Sequence, residues 1–335
     1  MSSLSLDSQF GSPQNLDMTS ILTLRRPGRL FTRPDDEKEV ASHLPQAAAP
    51  ARAPLQNFED LPVWYQDNPY LRSHYRPVSY SSSSCLYSWT YLHNETLNIY
   101  THLIPALLSV VGQMWMQRMI SDSFPEATIG ERAVFALNLA AATATLTMST
   151  FYHTLMNHSF HVSSLWLRID YVGILALTLG SFFSGIFVGF YCHPHLQLLY
   201  WSMITLLSLI TAILVLHPLL QGVRFRTLRT AAFVLTALSG FAPIGHGLWL
   251  YGWAEMWERS GMPYWLLEGA IYGVGAALFA TRWPEKKWPG RFDVWGTSHQ
   301  FFHLCVVAAA CAHLWGVWSA FGWSYENQRG CEVRF

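Results

Sequence analysis

Lysine is almost missing from this 335-residue chain: Lys38, Lys286 and Lys287 are all it has. None lies in an apolar run, so a retinal-type Schiff base inside the membrane is excluded. Charge of either sign is scarce as well. Charged residues make up 13% and the formal net charge is zero, which points away from nucleic acid as a partner. The five cysteines, Cys85, Cys192, Cys305, Cys311 and Cys331, form no C-x-x-C pair and no framework spacing. They are expected as free thiols, mostly in apolar helices. Residues 1–20 are polar and Ser-rich, without the basic flank and apolar stretch of a leader, so membrane insertion is expected to begin at the first true span.

What is abundant is apolar and aromatic. Hydrophobic residues reach 51%, with fifteen Trp and fifteen Tyr, side chains that suit a membrane–water interface. Seven windows approach the roughly twenty apolar residues that cross a bilayer: 97–117, 134–153, 165–190, 198–216, 228–250, 264–280 and 299–318. The predicted fold class is therefore all-α, an integral membrane seven-helix bundle. Residues 1–60, rich in Pro, Ala, Ser and Arg, are expected to be a disordered cytosolic arm. Residues 61–96 are expected to be a juxtamembrane segment, with an interfacial helix over 82–92 offering Leu86, Trp89, Tyr91 and Leu92 to the membrane. The bundle is expected over 97–322, followed by a short outer tail over 323–335.

Basic residues set the expected orientation. With the N-terminus cytosolic, the inner side holds sixteen Lys and Arg against five outside, or eight against three without the tails. The C-terminus is then outside or lumenal, the reverse of a G-protein-coupled receptor. Asn68-Pro69-Tyr70 precedes the first window, so it cannot be a receptor motif of a seventh helix.

Ionisable groups inside a bilayer need a partner or a task. In this orientation His153 ends the second window, Asp170 lies early in the third, and His299 and His303 open the seventh, all toward the cytosolic leaflet. His299 and His303 are four apart, hence on one helix face and one turn apart, which suits two ligands of one metal. With His153 as a third ligand, three imidazoles and a water make an open zinc site. Asp170 would bind that water as base or orienter, and Ser149, one turn from His153, would steady an oxyanion or hold a water. The alternative is a set of interfacial or packing histidines. His313, about 15 Å beyond His303 along the axis, is expected to be a hydrogen-bonded packing residue, and Glu268 an isolated structural hydrogen-bonder. Glu95 admits two readings: it bonds loops beneath the site, or Asn94 caps the first span and Glu95 follows the cap, the reading favoured here. Pro289 to Asp293 read as a structural turn that positions the seventh helix.

Four stretches together resemble a known family. They are Leu92-His93-Asn94-Glu95-Thr96-Leu97-Asn98-Ile99-Tyr100-Thr101-His102, then Ser149-Thr150-Phe151-Tyr152-His153, then Asp170-Tyr171-Val172-Gly173-Ile174, then Pro284-Glu285 and Pro289-Gly290-Arg291-Phe292-Asp293 leading to Ser298-His299-Gln300-Phe301-Phe302-His303. In order and placement they resemble the progestin and adipoQ receptor family, which includes adiponectin receptors and haemolysin-III-related proteins. Tyr100 and the aromatic-rich style look most like its fungal branch. The resemblance spans roughly residues 60 to 322. It implies seven helices with a cytosolic N-terminus, Zn2+ held by His153, His299 and His303, and site roles for Asp170 and Ser149. It further implies a membrane lipid in the bundle, ceramide-like or a fatty acid, and ceramidase-type amide hydrolysis. The alternative it offers is a receptor or sensor of lipid, sterol or zinc homeostasis in which zinc is structural. With a short outer tail, recognition of a protein hormone is not expected. The expected location is the plasma membrane or the endoplasmic reticulum; oligomeric state is not legible.

Overall fold

Helix starts in this chain are written in capping chemistry. Thr128 and Glu131 form a reciprocal capping box that opens one long helix, and Thr297 and Gln300 form another. The computed structural model describes residues 53–328 together with Cys331. The described residues form helices and no β-strand, apart from a lone antiparallel bridge between Gln56 and Tyr75. The helices are α1 (Ser82–Tyr87), α2 (Thr96–Ser123), α3 (Ile129–Leu155), α4 (Phe160–Gly189), α5 (Pro194–Leu216), α6 (Arg226–Leu238), α7 (Phe241–Arg259), α8 (Met262–Thr281) and α9 (Ser298–Asn327).

Six stretches are long and apolar enough to cross a membrane: α2, α3, α4, α5, the 37 residues of Val223–Arg259 that contain α6 and α7, and α9. The twenty residues of α8, over the sixth window, pack along α9. Large apolar side chains face outward, among them Leu107, Leu108, Val111 and Trp115 on α2, Leu206 and Ile213 on α5, and Trp249 on α7. An apolar surface of that extent suits hydrocarbon rather than water. The chain is a multi-pass membrane protein with an all-helical bundle.

At one end, the far face, Ile120, Phe124, Phe135, Val317 and Phe321 form an aromatic core. The Phe124 and Phe321 rings lie 5.0 Å apart, edge on. At the other end, the site face, α2 begins, α3 finishes and α9 begins. Close approach of α3 and α4 depends on Gly180, where a Cβ would sit 2.5 Å from the Ala141 Cβ. Thr145 also donates to the Gly173 carbonyl at 2.7 Å across the same pair.

Several expectations are corrected. Residues 1–52 of the expected arm lie outside the described residues, and order already exists ahead of residue 61: Gln56 pairs with Tyr75, and Phe58–Asp60 make a 3-10 turn. The interfacial helix is shorter than expected, Ser82–Tyr87 followed by a 3-10 turn at Ser88–Thr90, because Cys85 and Ser88 are drawn inside. The fifth window is two helices, broken between Leu238 and Phe241, with a left-handed Gly252 (φ 73°) kinking the second. The last helix runs into the expected tail as far as Asn327. Cys192 and Cys331 form a disulfide at the far face; Cys85, Cys305 and Cys311 are free. Spacing could not reveal that pair, since 139 residues separate its members.

Candidate metal centre

The N-terminus of α9 is held from two sides. Its capping box fixes where the helix starts, and the fully buried Glu285 carboxylate accepts from the Ser298 backbone N–H at 2.8 Å and from its hydroxyl. His299 therefore lies in the first turn, with His303 one turn on. The end of α3 is held by Arg76, which is wholly buried. Its guanidinium donates to the carbonyls of His153 at 2.6 Å and Thr154 at 3.0 Å, and to the Ser88 hydroxyl at 2.8 Å. A cation there answers the carbonyls that a helix C-terminus leaves unpaired.

These two ends bring three imidazoles together. One ring nitrogen from each of His153, His299 and His303 lies within 4.8 Å of the other two. The His153 and His299 Nε2 atoms are 3.2 Å apart. Two nitrogens bound to one tetrahedral zinc at the usual bond length would be separated by about 3.3 Å. On His153 and His303 the other ring nitrogen is engaged so as to leave Nε2 free. His153 donates Nδ1–H to Glu95 Oε2 at 2.8 Å. His303 donates Nδ1–H to the Asn98 carbonyl at 3.1 Å, with Thr101 Oγ1 3.3 Å away. Orientation of a ligand imidazole by a carboxylate or carbonyl on its far nitrogen is how metal-binding histidines are held. The donor set and its supports fit zinc.

Glu95 ends on the functional side of the two readings. It is the N-cap residue of α2, yet its side chain makes no capping bond. Instead the carboxylate accepts from His153 and, at 2.7 Å, from Asn98 Nδ2. The Asn94 side chain, expected as the cap, has no hydrogen-bond partner. Burial alone would raise the Glu95 carboxyl, but hydrogen bonds and charge from His153 and Asn98 outweigh it and bring it down to about 2.

Asp170 and Ser149 adjoin the three histidines without joining the ligand set. The Asp170 carboxyl on α4 faces the Ser149 hydroxyl and feels the charge of His153. Ser149, buried on α3, lies one turn before His153. Thus all five expected site residues meet at one end of the bundle.

Residues 90–314 match the Haemolysin-III related family. The chain belongs to that family. It is 35% identical over 261 residues to the adiponectin receptor protein of Drosophila melanogaster, covering 78% of this chain and 58% of that one. It is 35% identical over 260 residues to the ADIPOR-like receptor IZH1 of Eremothecium gossypii, covering 77% and 82%. It is 30% identical over 369 residues to heptahelical transmembrane protein 5 of Arabidopsis thaliana, covering 83% and 98%. The chain spans 58% and 64% of the length of the fly and worm relatives it matches. As a haemolysin-III-related protein it is a seven-helix membrane protein of the adiponectin-receptor-like kind, and every expected site residue falls inside the matched region.

Asn98, His102 and Arg76 were not singled out from the sequence. Asn98 and His102 follow Glu95 at i+3 and i+7, a helical spacing that was available as a signal. Arg76 carried none beyond its charge. The turn before α9 is structural, as expected: Asp293 accepts from the Arg72 N–H at 2.9 Å and the Ser73 hydroxyl at 2.6 Å. Toward the far face, His313 is a hydrogen-bonded packing residue, but Glu268 is not isolated. Its Oε2 lies 2.8 Å from His313 Nδ1, and His313 Nε2 lies 2.9 Å from Ser184 Oγ.

Proposed function

We propose that this chain is a zinc-dependent intramembrane amide hydrolase of ceramidase type, with the site face toward the cytosol. The observation that carries the reading is the convergence of the His153, His299 and His303 nitrogens with far-side supports on His153 and His303. Bound zinc would supply Lewis acidity, polarising a carbonyl and acidifying a water. The chain's own residues would do the rest. Asp170 takes the proton of the attacking water and returns it to the leaving amine nitrogen. Ser149 donates to the oxygen of the amide as charge builds on it. The apolar bundle holds the acyl chain of a ceramide-like substrate and keeps bulk water from the tail. The orientation draws on the excess of basic residues at the site face and on Cys192–Cys331 at the far face, since a disulfide persists in an oxidising compartment.

The test is metal analysis of purified protein beside turnover of a ceramide panel, comparing the native chain with His299→Ala. Stoichiometric zinc and turnover, both lost in the variant, are expected; zinc without turnover on any ceramide refutes the hydrolase.

A second reading makes the zinc structural in a receptor or sensor. Two observations favour it. Relatives carry the name receptor. The N-terminal segment is also tied to the site from several sides, by Arg76 to α3 and by Arg72 and Ser73 to the turn before α9. A change at the metal would then be felt by that segment. Zinc occupancy with no turnover and loss of fold on chelation is the result this reading expects.

A further inference from the structure

Residues 282–297 join α8 to α9 at the site face. A connection at the end of a helical bundle is ordinarily polar and loosely held. This one is anchored from beneath. Glu285 and Asp293 are both buried, and their carboxylates are engaged by neutral donors. Glu285 accepts from Ser298 and, at 3.2 Å, from Asn68 Nδ2; Asp293 accepts from the Arg72 N–H and the Ser73 hydroxyl. The Gly290 N–H donates to the Tyr70 carbonyl at 2.9 Å. The two acidic residues of the segment therefore fix its backbone and present no charge outward.

What the segment presents outward is basic and aromatic. Arg282 pairs with Asp67 at 3.5 Å, but Lys286, Lys287 and Arg291 are exposed and have no carboxylate partner among the described residues. Arg72, also exposed and without a carboxylate partner there, lays its stem across the turn: a Cβ on Gly290 would sit 3.4 Å from Arg72 Cδ. Beside these cations stand three indoles, Trp283 at 49% exposed, Trp288 at 40% and Trp295 at 54%. Lys287 Nζ lies over the Trp288 ring, 4.7 Å from its centroid. Either feature alone is bland, since indoles favour any membrane interface and basic residues any cytosolic loop. Together on a fixed backbone they make a surface of set geometry. Its like charges repel one another until an anion joins them, and its rings suit the boundary between headgroup and hydrocarbon.

We propose that this segment, with Arg72, is a binding site for the headgroup of an anionic phospholipid in the leaflet at the site face. The headgroup phosphate accepts from the lysine ammoniums and from the guanidinium forks of Arg72 and Arg291. The indoles take the glycerol level, with the acyl chains running on into the bilayer. A water-soluble phosphate would use the cations and leave three half-exposed indoles without a role, so the lipid is the occupant the surface fits. The site stands whether or not the metal centre hydrolyses an amide; only its assignment to the cytosolic leaflet, where anionic lipids concentrate, rests on the orientation proposed above. Lys286 directly follows Glu285, whose carboxylate holds the first turn of α9. A headgroup bound here therefore also steadies the turn that carries His299.

The experiment is native mass spectrometry of the full-length protein in a neutral detergent, titrated with dioleoylphosphatidylserine or dioleoylphosphatidylcholine. One phosphatidylserine is expected to bind about tenfold or more tighter than phosphatidylcholine. Each basic residue near an anionic headgroup contributes about fivefold, so Lys286→Gln, Lys287→Gln and Arg291→Gln combined should weaken phosphatidylserine by about 20-fold or more. Phosphatidylcholine binding and thermal melting of the lipid-free protein should stay native. Arg118→Gln, which removes an exposed cation from the other end of α2, should leave phosphatidylserine binding unchanged. Equal affinity for the two lipids overturns the site, as does native phosphatidylserine binding in the triple variant. A loss in Arg118→Gln equal to that per residue in the triple variant would show a response to net charge alone and overturns it too. Glycerophosphoserine, the same headgroup without chains, is the last arm. Failure to displace the lipid at equal concentration is expected; displacement there would make the occupant a soluble anion and overturn the lipid. No turnover is read, so failure of the hydrolase reading leaves each of these outcomes intact.

Discussion

Glu95→Gln separates a metal-positioning carboxylate from a helix cap. Gln matches Glu in shape and keeps an acceptor for Asn98, so the fold at the start of α2 has no reason to change. What it loses is the charge against His153 Nδ1–H, a 2.8 Å bond in a place where the Glu95 side chain is about a tenth exposed. Removing such a support typically weakens a metal site by about 10- to 100-fold, roughly 1.4 to 2.7 kcal/mol. The carboxyl is depressed from 4.5 to about 2. Its contribution to stability is therefore complete above pH 4.5 and is lost as pH falls toward 2. A titration at pH 7 thus compares a fully ionised Glu95 with a neutral Gln. The assay is competition for zinc against a fluorescent chelator, with thermal melting as a control for fold. A 10- to 100-fold weaker site in Glu95→Gln is expected. Native zinc affinity in a well-folded Glu95→Gln protein would refute the assignment and return Glu95 to a structural role.

Asp170→Asn should retain zinc within about threefold yet lower ceramide turnover by about 10²-fold or more, the usual worth of a positioned acid–base group; unchanged turnover with zinc bound removes Asp170 from the chemistry. Gly180→Ala drives a methyl to 2.5 Å from the Ala141 Cβ, so a loss of about 1–3 kcal/mol in denaturation is expected, against no loss for Gly112→Ala, where nothing lies within 4 Å of the added methyl. In sealed membrane vesicles with the cytosolic side outward, a membrane-impermeant maleimide should leave Cys192 and Cys331 unlabelled even after reduction by a permeant thiol, and label them once the vesicles are opened; labelling of the sealed, reduced vesicles would contradict a far face outside the cytosol.

The seven-window reading and the depth of His153, Asp170, His299 and His303 were available from the chain because both follow from local rules. A bilayer demands a run of about twenty apolar residues, and 3.6-residue periodicity puts His299 beside His303 whatever surrounds them. Gly252 and the break after Leu238 were hidden inside an unbroken apolar run, where hydropathy carries no record of backbone direction. Glu95 was misread for a related reason. Asn94 ahead of an apolar helix satisfies the local rule for a cap, and only its distance to a histidine 58 positions later decides that Glu95 answers to His153.

By itself, then, the sequence determined a membrane-spanning helical bundle, which helix ends carry histidine and aspartate, and which family motifs they match. Tertiary structure alone decided that Arg76 and Glu285 hold the two helix ends in register, that Glu95 and the Asn98 carbonyl turn two imidazoles inward, that Cys192 meets Cys331, and that Glu268 answers His313. Each is a contact between residues far apart in the chain. Their partners are chosen by how helices pack, and periodicity along a single helix carries no information about what lies across from it.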